Sequence, residues 1–148
     1  MSEEATLYYL YQPLQMQPVS MPIEFVTVQS FLNDEPACRM LWEMVASQFR
    51  TRSKFLMIWQ HVRHVCVHRN VANEVDGLLL ISSPINWQID YVVVHPQARG
   101  QGIAIALVKH ALNEALKAGV PYVMLTSRAG LRVLYESECG LRVVASKP

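Results

Sequence analysis

Hydrophobic and polar positions change from a strand pattern to a helix pattern within the second half of the chain. Residues 91–94 form an apolar, β-branched run, which predicts a buried strand. His95 and Pro96 end this run, because proline has no N–H to donate to a sheet ladder. After the stretch 97–102, which contains two glycines, apolar residues recur at helical spacing over 103–117. The pattern therefore predicts a strand, a glycine turn and a helix in succession.

The same patterns predict further elements on both sides of this unit. Asp34 and Pro36 are typical of a helix start, while Gly119 and Pro121 are typical of a helix end. We expect strands at 7–11, 24–29, 62–68, 75–82, 122–127 and 141–146, and further helices at 34–50, 53–59 and 129–136. Strands 62–68 and 75–82 should pair as an antiparallel hairpin. Strand 122–127 should lie parallel to the central strand, because a helix joins the two.

Length and composition favour one α/β domain that spans residues 1–148. Hydrophobic residues make up 51% of the 148, which is enough for a sizeable core. The net charge of +1 gives no strong field toward nucleic acid or an anionic membrane, so neither is expected as a partner. Three widely spaced cysteines and the lack of a signal-peptide pattern predict a soluble, cytoplasmic protein with reduced thiols.

The glycine turn is a candidate anion site. It precedes a helix N-terminus, where backbone N–H groups have no intrahelical partner, and Arg99 adds a fixed positive charge. Gly100 and Gly102 would let a phosphate approach the backbone closely. The alternative is that both glycines serve turn geometry alone. The stretch is neither a P-loop nor a complete dinucleotide fingerprint, since Ile105 occupies the third glycine position.

Two other groups of side chains allow a functional interpretation, and for each the structural interpretation is stronger. His64, Cys66 and His68 fall on one face of a predicted strand, but no nearby group completes a set of four ligands, so no metal is expected. Aromatic residues of the predicted helices could line a pocket, although filling the core is the stronger interpretation. These aromatic residues are Trp42, Phe49, Phe55 and Trp59.

Residues 94–104 resemble the acetyl-CoA motif of the GNAT superfamily of N-acetyltransferases. Gln97, Gly100 and Gly102 match its core, and residues 134–136 and 139–141 are similar to its later tyrosine and glycine signature. The resemblance implies a mixed central sheet of about six to seven strands, with flanking helices and a splayed pair of parallel strands. It also makes residues 1–22 an atypical N-terminal extension.

The resemblance further implies transfer of an acetyl group from acetyl-CoA to a primary amine of a small molecule or peptide. It assigns pantetheine to Val92, Val93 and Val94, with the Val94 amide as an oxyanion donor. It assigns the pyrophosphate to the turn and the start of the helix, namely Arg99, Gly100, Gln101, Gly102, Ile103 and Ala104.

Two residues are candidates for acid–base catalysis. By resemblance, Tyr135 protonates the departing thiolate, and the alternative is a core tyrosine whose hydroxyl donates to a carbonyl. Some family members carry a glutamate general base at the matching strand position, so by resemblance Asp90 is a candidate base that would work through a water. The alternative is a solvated or salt-bridged strand carboxylate. Strand alternation predicts that Asp90 shares a face with Gln88, Val92 and Val94.

The sequence departs from the family pattern at both ends. The family usually has two strands after the helix that contains the signature tyrosine, here Tyr135, but this sequence has room for only one. We therefore expect strand 7–11, or a partner subunit, to fill the vacant sheet position. The distance from Tyr135 to Gly140 is one residue longer than usual. Two alternative functions stay open, a non-catalytic acyl-CoA-binding module that regulates a partner and a nucleotide-type phosphate binder. A homodimer is common in the family and is a further expectation.

Overall fold

A seven-stranded mixed sheet runs through the computed structural model, which describes residues 5–48, 51, 52, 55, 57–82 and 86–147. The strands are β1 (Thr6–Tyr11), β2 (Glu24–Val26), β3 (Val62–Arg69), β4 (Val75–Ser82), β5 (Trp87–Val94), β6 (Val123–Arg128) and β7 (Arg142–Lys147). The α-helices are α1 (Val28–Leu32), α2 (Glu35–Val45) and α3 (Ile103–Lys117). The strand order is β2-β3-β4-β5-β6-β1-β7, in which β5 and β6 are the parallel neighbours. The predicted fold class, with its parallel pair and flanking helices, is confirmed.

Local sequence signals position most of these elements. The Asp34 carboxylate accepts a hydrogen bond from the Ala37 N–H and caps α2, as expected. The predicted strand 24–29 is too long, because the Thr27 hydroxyl accepts from Ser30 N–H and starts α1 at Val28. Helix α2 ends at Val45, earlier than predicted, and continues only as a 3-10 turn, Ala46–Gln48. Of the predicted helix 53–59, residues 53, 54 and 56 lie outside the described residues, and a 3-10 helix, Met57–Gln60, overlaps its end.

Each face of the sheet carries its own core. Helix α3 covers one face, where Leu79, Ile81 and Leu107 are fully buried. Helices α1 and α2 cover β3, β4 and β5 on the other face, around Leu41 and Leu80. Helix α3 lies very close to the sheet at Gly77, where a Cβ would meet the Ile103 side chain at 2.5 Å. Close packing of this kind fixes the N-terminus of α3 relative to β5.

The N-terminal strand occupies an interior place in the sheet. Strand β1 pairs antiparallel with β6 on one side and with β7 on the other, which confirms that residues 7–11 fill the vacant position. Tyr9 and Leu7 are buried in the core under α3. The following loop is held by Asn113, whose side-chain amide both accepts from and donates to the Gln17 backbone, at 2.7 Å each way. The segment is therefore an integral part of the packed structure.

The tyrosine-containing helix differs from its predicted form. A 3-10 turn, Ala129–Leu131, leads into a π-helix, Val133–Glu138, where an ordinary α-helix was expected over 129–136. A π turn contains one more residue than an α turn, so it absorbs the extra residue between Tyr135 and Gly140. The chain then leaves through Gly140, whose φ of +77° suits glycine, into β7.

Candidate active site

The two parallel strands separate at the middle of the sheet. Strand β5 pairs with β6 at Trp87, Gln88 and Ile89, and no pairing with β6 follows. On its other side, β5 has a bulge, because Leu80 pairs with Tyr91 while Ile81 pairs with Ile89. Asp90 is the extra residue in this bulge. A bulge bends and twists its strand, which accounts for the opening beyond Ile89.

The edge of β5 that faces this opening carries backbone polar groups. The His95 N–H donates to the Asp76 carbonyl on β4, at 2.8 Å. Because successive peptide groups alternate between the two edges of a strand, Val92 and Val94 direct their N–H and C=O groups away from β4. Consistent with this, the Val94 carbonyl accepts from Arg99 Nε at 3.3 Å. These groups can bind an extended ligand in the opening.

A cleft of about 720 Å³ lies at the opening. Eight of the nine predicted cofactor-binding residues line it, namely Val92, Val93, Val94, Arg99, Gly100, Gly102, Ile103 and Ala104. Gln101 is exposed and lies at a neighbouring depression beside His68 and Asp76. The cleft wall also contains residues that sequence reasoning did not identify, namely Met44, Val45, Tyr91, Arg128, Leu131 and Leu134. Their contribution depends on long-range pairing of strands and helices, which no local motif encodes.

The glycine turn has the geometry of an anion site. Gly100 and Gly102 have φ of +82° and +84°, and a Cβ added at either would meet no atom within 4 Å. The first α-helical backbone bond runs from Ala106 N–H to the Gly102 carbonyl, and no side chain caps Gly102. The N–H groups of Ile103, Ala104 and Ile105 thus stay available at the mouth of the cleft. These residues have the geometry to bind a phosphate or pyrophosphate group.

Tyr135 lies in the cleft wall and is 5% exposed. Its ring packs edge-on against Tyr9, with centroids 5.4 Å apart. Burial, with smaller contributions from Cys139 and Tyr9, raises the pKa of Tyr135 to about 12. Within the described part of the chain, no group accepts a hydrogen bond from its hydroxyl, so the carbonyl partner of the core alternative is not found. The phenol therefore keeps its proton at neutral pH and can serve as a hydrogen-bond donor.

Asp90 lies outside the cleft lining, on the side of the sheet opposite α3. The prediction that it shares a face with Val92 and Val94 is wrong, because the bulge shifts the alternation and puts Val92 and Val94 on the α3 face. The Asp90 carboxylate accepts from Ser82 Oγ at 3.3 Å. Its pKa is raised, because partial burial outweighs the lowering effects of Ser82 and His61. His61, which sequence reasoning considered only as a remote metal ligand, is thus a neighbour of Asp90.

The remaining candidate residues make contacts that support a structural role. Trp42 packs on Phe55 with centroids 5.1 Å apart, and Trp59 packs on Phe31, which favours the core interpretation. Phe49 lies outside the described residues. The His95 Nδ1 accepts from the Gln97 N–H and so caps the turn after β5. Among the residues that the structure describes, no three His, Cys, Asp or Glu side chains converge as a metal site.

Comparison with known proteins assigns the chain to a class. Residues 35–141 match the model of the acetyltransferase (GNAT) family. The match covers well over half of the sequence, so the chain belongs to this family. No curated protein matches the sequence significantly.

Solved structures agree with this fold. A GCN5-related N-acetyltransferase from Sphaerobacter thermophilus is similar, with a TM-score of 0.75 at 21% identity over 97% of this chain. The match covers 49% of that protein, so the present chain spans about half its length. A ribosomal-protein-alanine N-acetyltransferase from Brucella melitensis has a TM-score of 0.59 at 19% identity, over 79% of this chain and 90% of its own. At these identities the likeness concerns the fold alone. None of the helices in the described ranges is both long and apolar enough to span a membrane.

Proposed function

We propose that this protein transfers an acetyl group from acetyl-CoA to a primary amine, by direct attack of the amine on the thioester. One observation carries the proposal. A single cleft joins the uncapped N-terminus of α3, the free backbone edge of β5 and the Tyr135 side chain. The Brucella melitensis protein, which has a similar fold, is named a ribosomal-protein-alanine N-acetyltransferase. This name supports an amine as acceptor.

Different groups of the protein would bind the different parts of acetyl-CoA. The amides of Gly102, Ile103 and Ala104, with the Arg99 guanidinium, would hold the pyrophosphate, because N–H groups and a cation favour a phosphate oxygen. The β5 edge at Val92 and Val94 would bind the amide groups of pantetheine. Acetyl-CoA supplies an activated thioester when bound. The exposed position of Gln101 favours a weaker contribution than its neighbours make.

Three groups would serve the reaction itself. Asp90 would accept the proton that the attacking amine loses, through a bridging water, since its carboxylate lies beside the cleft instead of in its wall. The Val94 N–H would donate to the oxygen on which negative charge develops. Tyr135 would donate a hydrogen bond to the departing sulfur. This assignment makes Tyr135 and Asp90 the catalytic pair.

Calorimetric titration with acetyl-CoA tests the binding half of the proposal. We expect wild-type protein to bind with micromolar affinity, about −8 kcal/mol, and to bind NAD and ATP much more weakly. Arg99→Ala should weaken the binding of acetyl-CoA about tenfold. Arg63→Ala changes an exposed side chain of β3 and should leave this affinity unchanged. Gly102→Val should weaken it further, because valine is strained at a φ of +84°.

The outcomes separate the alternative functions. A folded protein that shows no heat with acetyl-CoA, CoA or longer acyl-CoAs would contradict the proposal. Tight binding without thiol release, across a broad amine panel, would favour the non-catalytic acyl-CoA-binding module. Equal binding of NAD or ATP would favour a nucleotide-type phosphate site. Thiol release with a primary amine, lost in Gly102→Val, is the result that supports transfer.

A further inference from the structure

One half of the sheet has a face that the helices leave open. The open face is formed by the side chains of β6, β1 and β7 that point away from α3. Val123 and Leu125 are buried under α3, so by alternation Thr126 and Arg128 point to the opposite side. Tyr8, between the buried Leu7 and Tyr9, points there too and is 37% exposed. Within the described ranges α1 and α2 pack on β3 and β4 and leave this area uncovered.

Two cations lie side by side at one end of the open face. Thr6 pairs with Arg128 on β6 and with Lys147 on β7. Arg128 and Lys147 are therefore two strand spacings apart, about 10 Å between backbones. Both side chains are exposed, and in the described part of the chain neither has a carboxylate partner. Such a pair of unneutralised charges is a recognition surface for an anionic group.

The cationic end is continuous with the cleft, and a carboxylate lies at its other border. Arg128 lines the cleft together with Tyr135. Asp90 directly follows Ile89, whose partner on β6 is Leu125, so Asp90 lies level with Thr126. Its hydrogen bond to Ser82 puts it on the side of the sheet that faces away from α3. The surface next to the cleft is thus bipolar, negative at β5 and positive across β6 and β7.

We infer that the acceptor is a zwitterionic primary amine, whose oxyanion group binds Arg128 and Lys147 while its amino group faces Asp90. The inference rests on the proposed transfer reaction and specifies its substrate class. A guanidinium binds a carboxylate in bidentate geometry, which gives direction as well as attraction. Tyr8 and Thr126 lie between the two charged ends, where a ring and a hydroxyl suit a short carbon chain with polar ends.

A matched amine series tests this assignment on the CoA-saturated protein and in turnover. The probes are 5-aminovalerate, pentylamine and 1,5-diaminopentane, which differ in the charge at the far end. Phosphoethanolamine against ethanolamine tests whether a phosphate serves as well as a carboxylate. We expect at least tenfold tighter binding and tenfold higher kcat/KM for 5-aminovalerate than for pentylamine, with a difference that shrinks as salt is added.

Substitutions test which side chain determines the preference for a negatively charged group on the amine. Arg128→Ala should remove the difference between 5-aminovalerate and pentylamine by raising KM, with the Kd of acetyl-CoA unchanged. Arg128→Glu should shift the preference to 1,5-diaminopentane. Arg142→Ala is the matched control, because Arg142 is an exposed arginine that pairs with Leu10 on the same open face, away from the cleft. This variant should behave as wild type.

Several results would overturn the inference. A wild-type preference for pentylamine or 1,5-diaminopentane would do so, in binding or in turnover. A loss of acetyl-CoA affinity in Arg128→Ala, with the amine preference intact, would assign Arg128 to the cofactor instead. If acetyl-CoA binds and no probe shows a charge preference, the substrate class is wrong while the proposed transfer reaction stands. If acetyl-CoA does not bind, both fail.

Discussion

At the scale of single residues, Tyr135 shows how burial limits what an acid can do. With a pKa raised to about 12, the phenol stays protonated at any physiological pH. Complete transfer of its proton to a thiolate whose conjugate acid has a pKa of about 8.5 would be uphill by roughly 5 kcal/mol. The hydroxyl is therefore best suited to donate a hydrogen bond to the sulfur as negative charge develops there.

Tyr135→Phe removes this donor and leaves the ring in place. We expect kcat to fall by about 10²-fold or more, with the Kd of acetyl-CoA nearly unchanged. Tyr9→Phe is the matched control, because Tyr9 packs against Tyr135 and its hydroxyl lies 3.4 Å from Ser127 Oγ, away from the proposed reaction. Steady-state kinetics and calorimetry measure both variants. The role is refuted if Tyr135→Phe retains wild-type kcat or if the two variants lose activity equally.

At the scale of elements, β1 links β7 to the rest of the sheet. It joins β6 to β7 by antiparallel pairing on both edges and contributes Leu7 and Tyr9 to the core. Deletion of residues 1–12 should abolish cooperative thermal unfolding, since β7 would lose the one strand that it pairs with among the residues that the structure describes. Circular dichroism and calorimetric melting measure this. Retention of the wild-type Tm and oligomeric state after the deletion would contradict the integral role of β1.

A point substitution makes the same test with less disturbance. Tyr9→Ala should cost about 3–5 kcal/mol, because it removes a buried ring and leaves a cavity. Tyr8→Ala, one residue earlier on the open face, should cost less than about 1 kcal/mol. Urea unfolding of the two variants compares the two faces of one strand. Equal losses would mean that β1 does not pack as described.

Local signals predicted the elements that depend on neighbouring residues and missed those that depend on distant ones. The turn at Gly100 and Gly102 and the position of β5 follow from the sequence, because their geometry is set by residue type. The predicted sheet face of Asp90 was wrong, because the bulge that determines this face arises from pairing with β4. Arg128 was missed as a site residue, because only the register of β6 with β1 and β5 brings it to the cleft.

At the scale of the whole molecule, two half-buried histidines couple stability to pH. His64 on β3 and His110 on α3 lie near Phe25, which stacks on His64 and is 6.4 Å from the His110 ring, centre to centre. Burial lowers the pKa of both imidazoles below 6.5. Arg63 lowers the pKa of His64 further and Lys117 that of His110, while Glu114 opposes the effect at both. The folded state therefore favours two neutral rings in contact with aromatic side chains.

This preference fixes the sign of the pH dependence. A group whose pKa is lower in the folded state binds fewer protons there than in the unfolded chain. Its contribution to stability is complete above pH 6.5 and is lost as the pH falls through the folded pKa. We expect the free energy of unfolding to decline as the pH is lowered from 7 toward 5, measured by urea titration. The raised pKa of Asp90 acts with the opposite sign, because the folded state binds more protons at this carboxyl than the unfolded chain does.

Removing the two imidazoles separates their contribution from that of other groups. A His64→Gln, His110→Gln double variant should be less stable at pH 7.5, because the ring contacts are lost, and its stability should vary less between pH 7 and 5. Arg142→Gln, on an exposed arginine of β7 that leaves both imidazoles in place, should retain the wild-type pH profile. The curves are compared by slope, since slope counts the protons taken up on unfolding. An unchanged slope in the double variant would show that the acid sensitivity arises elsewhere in the molecule.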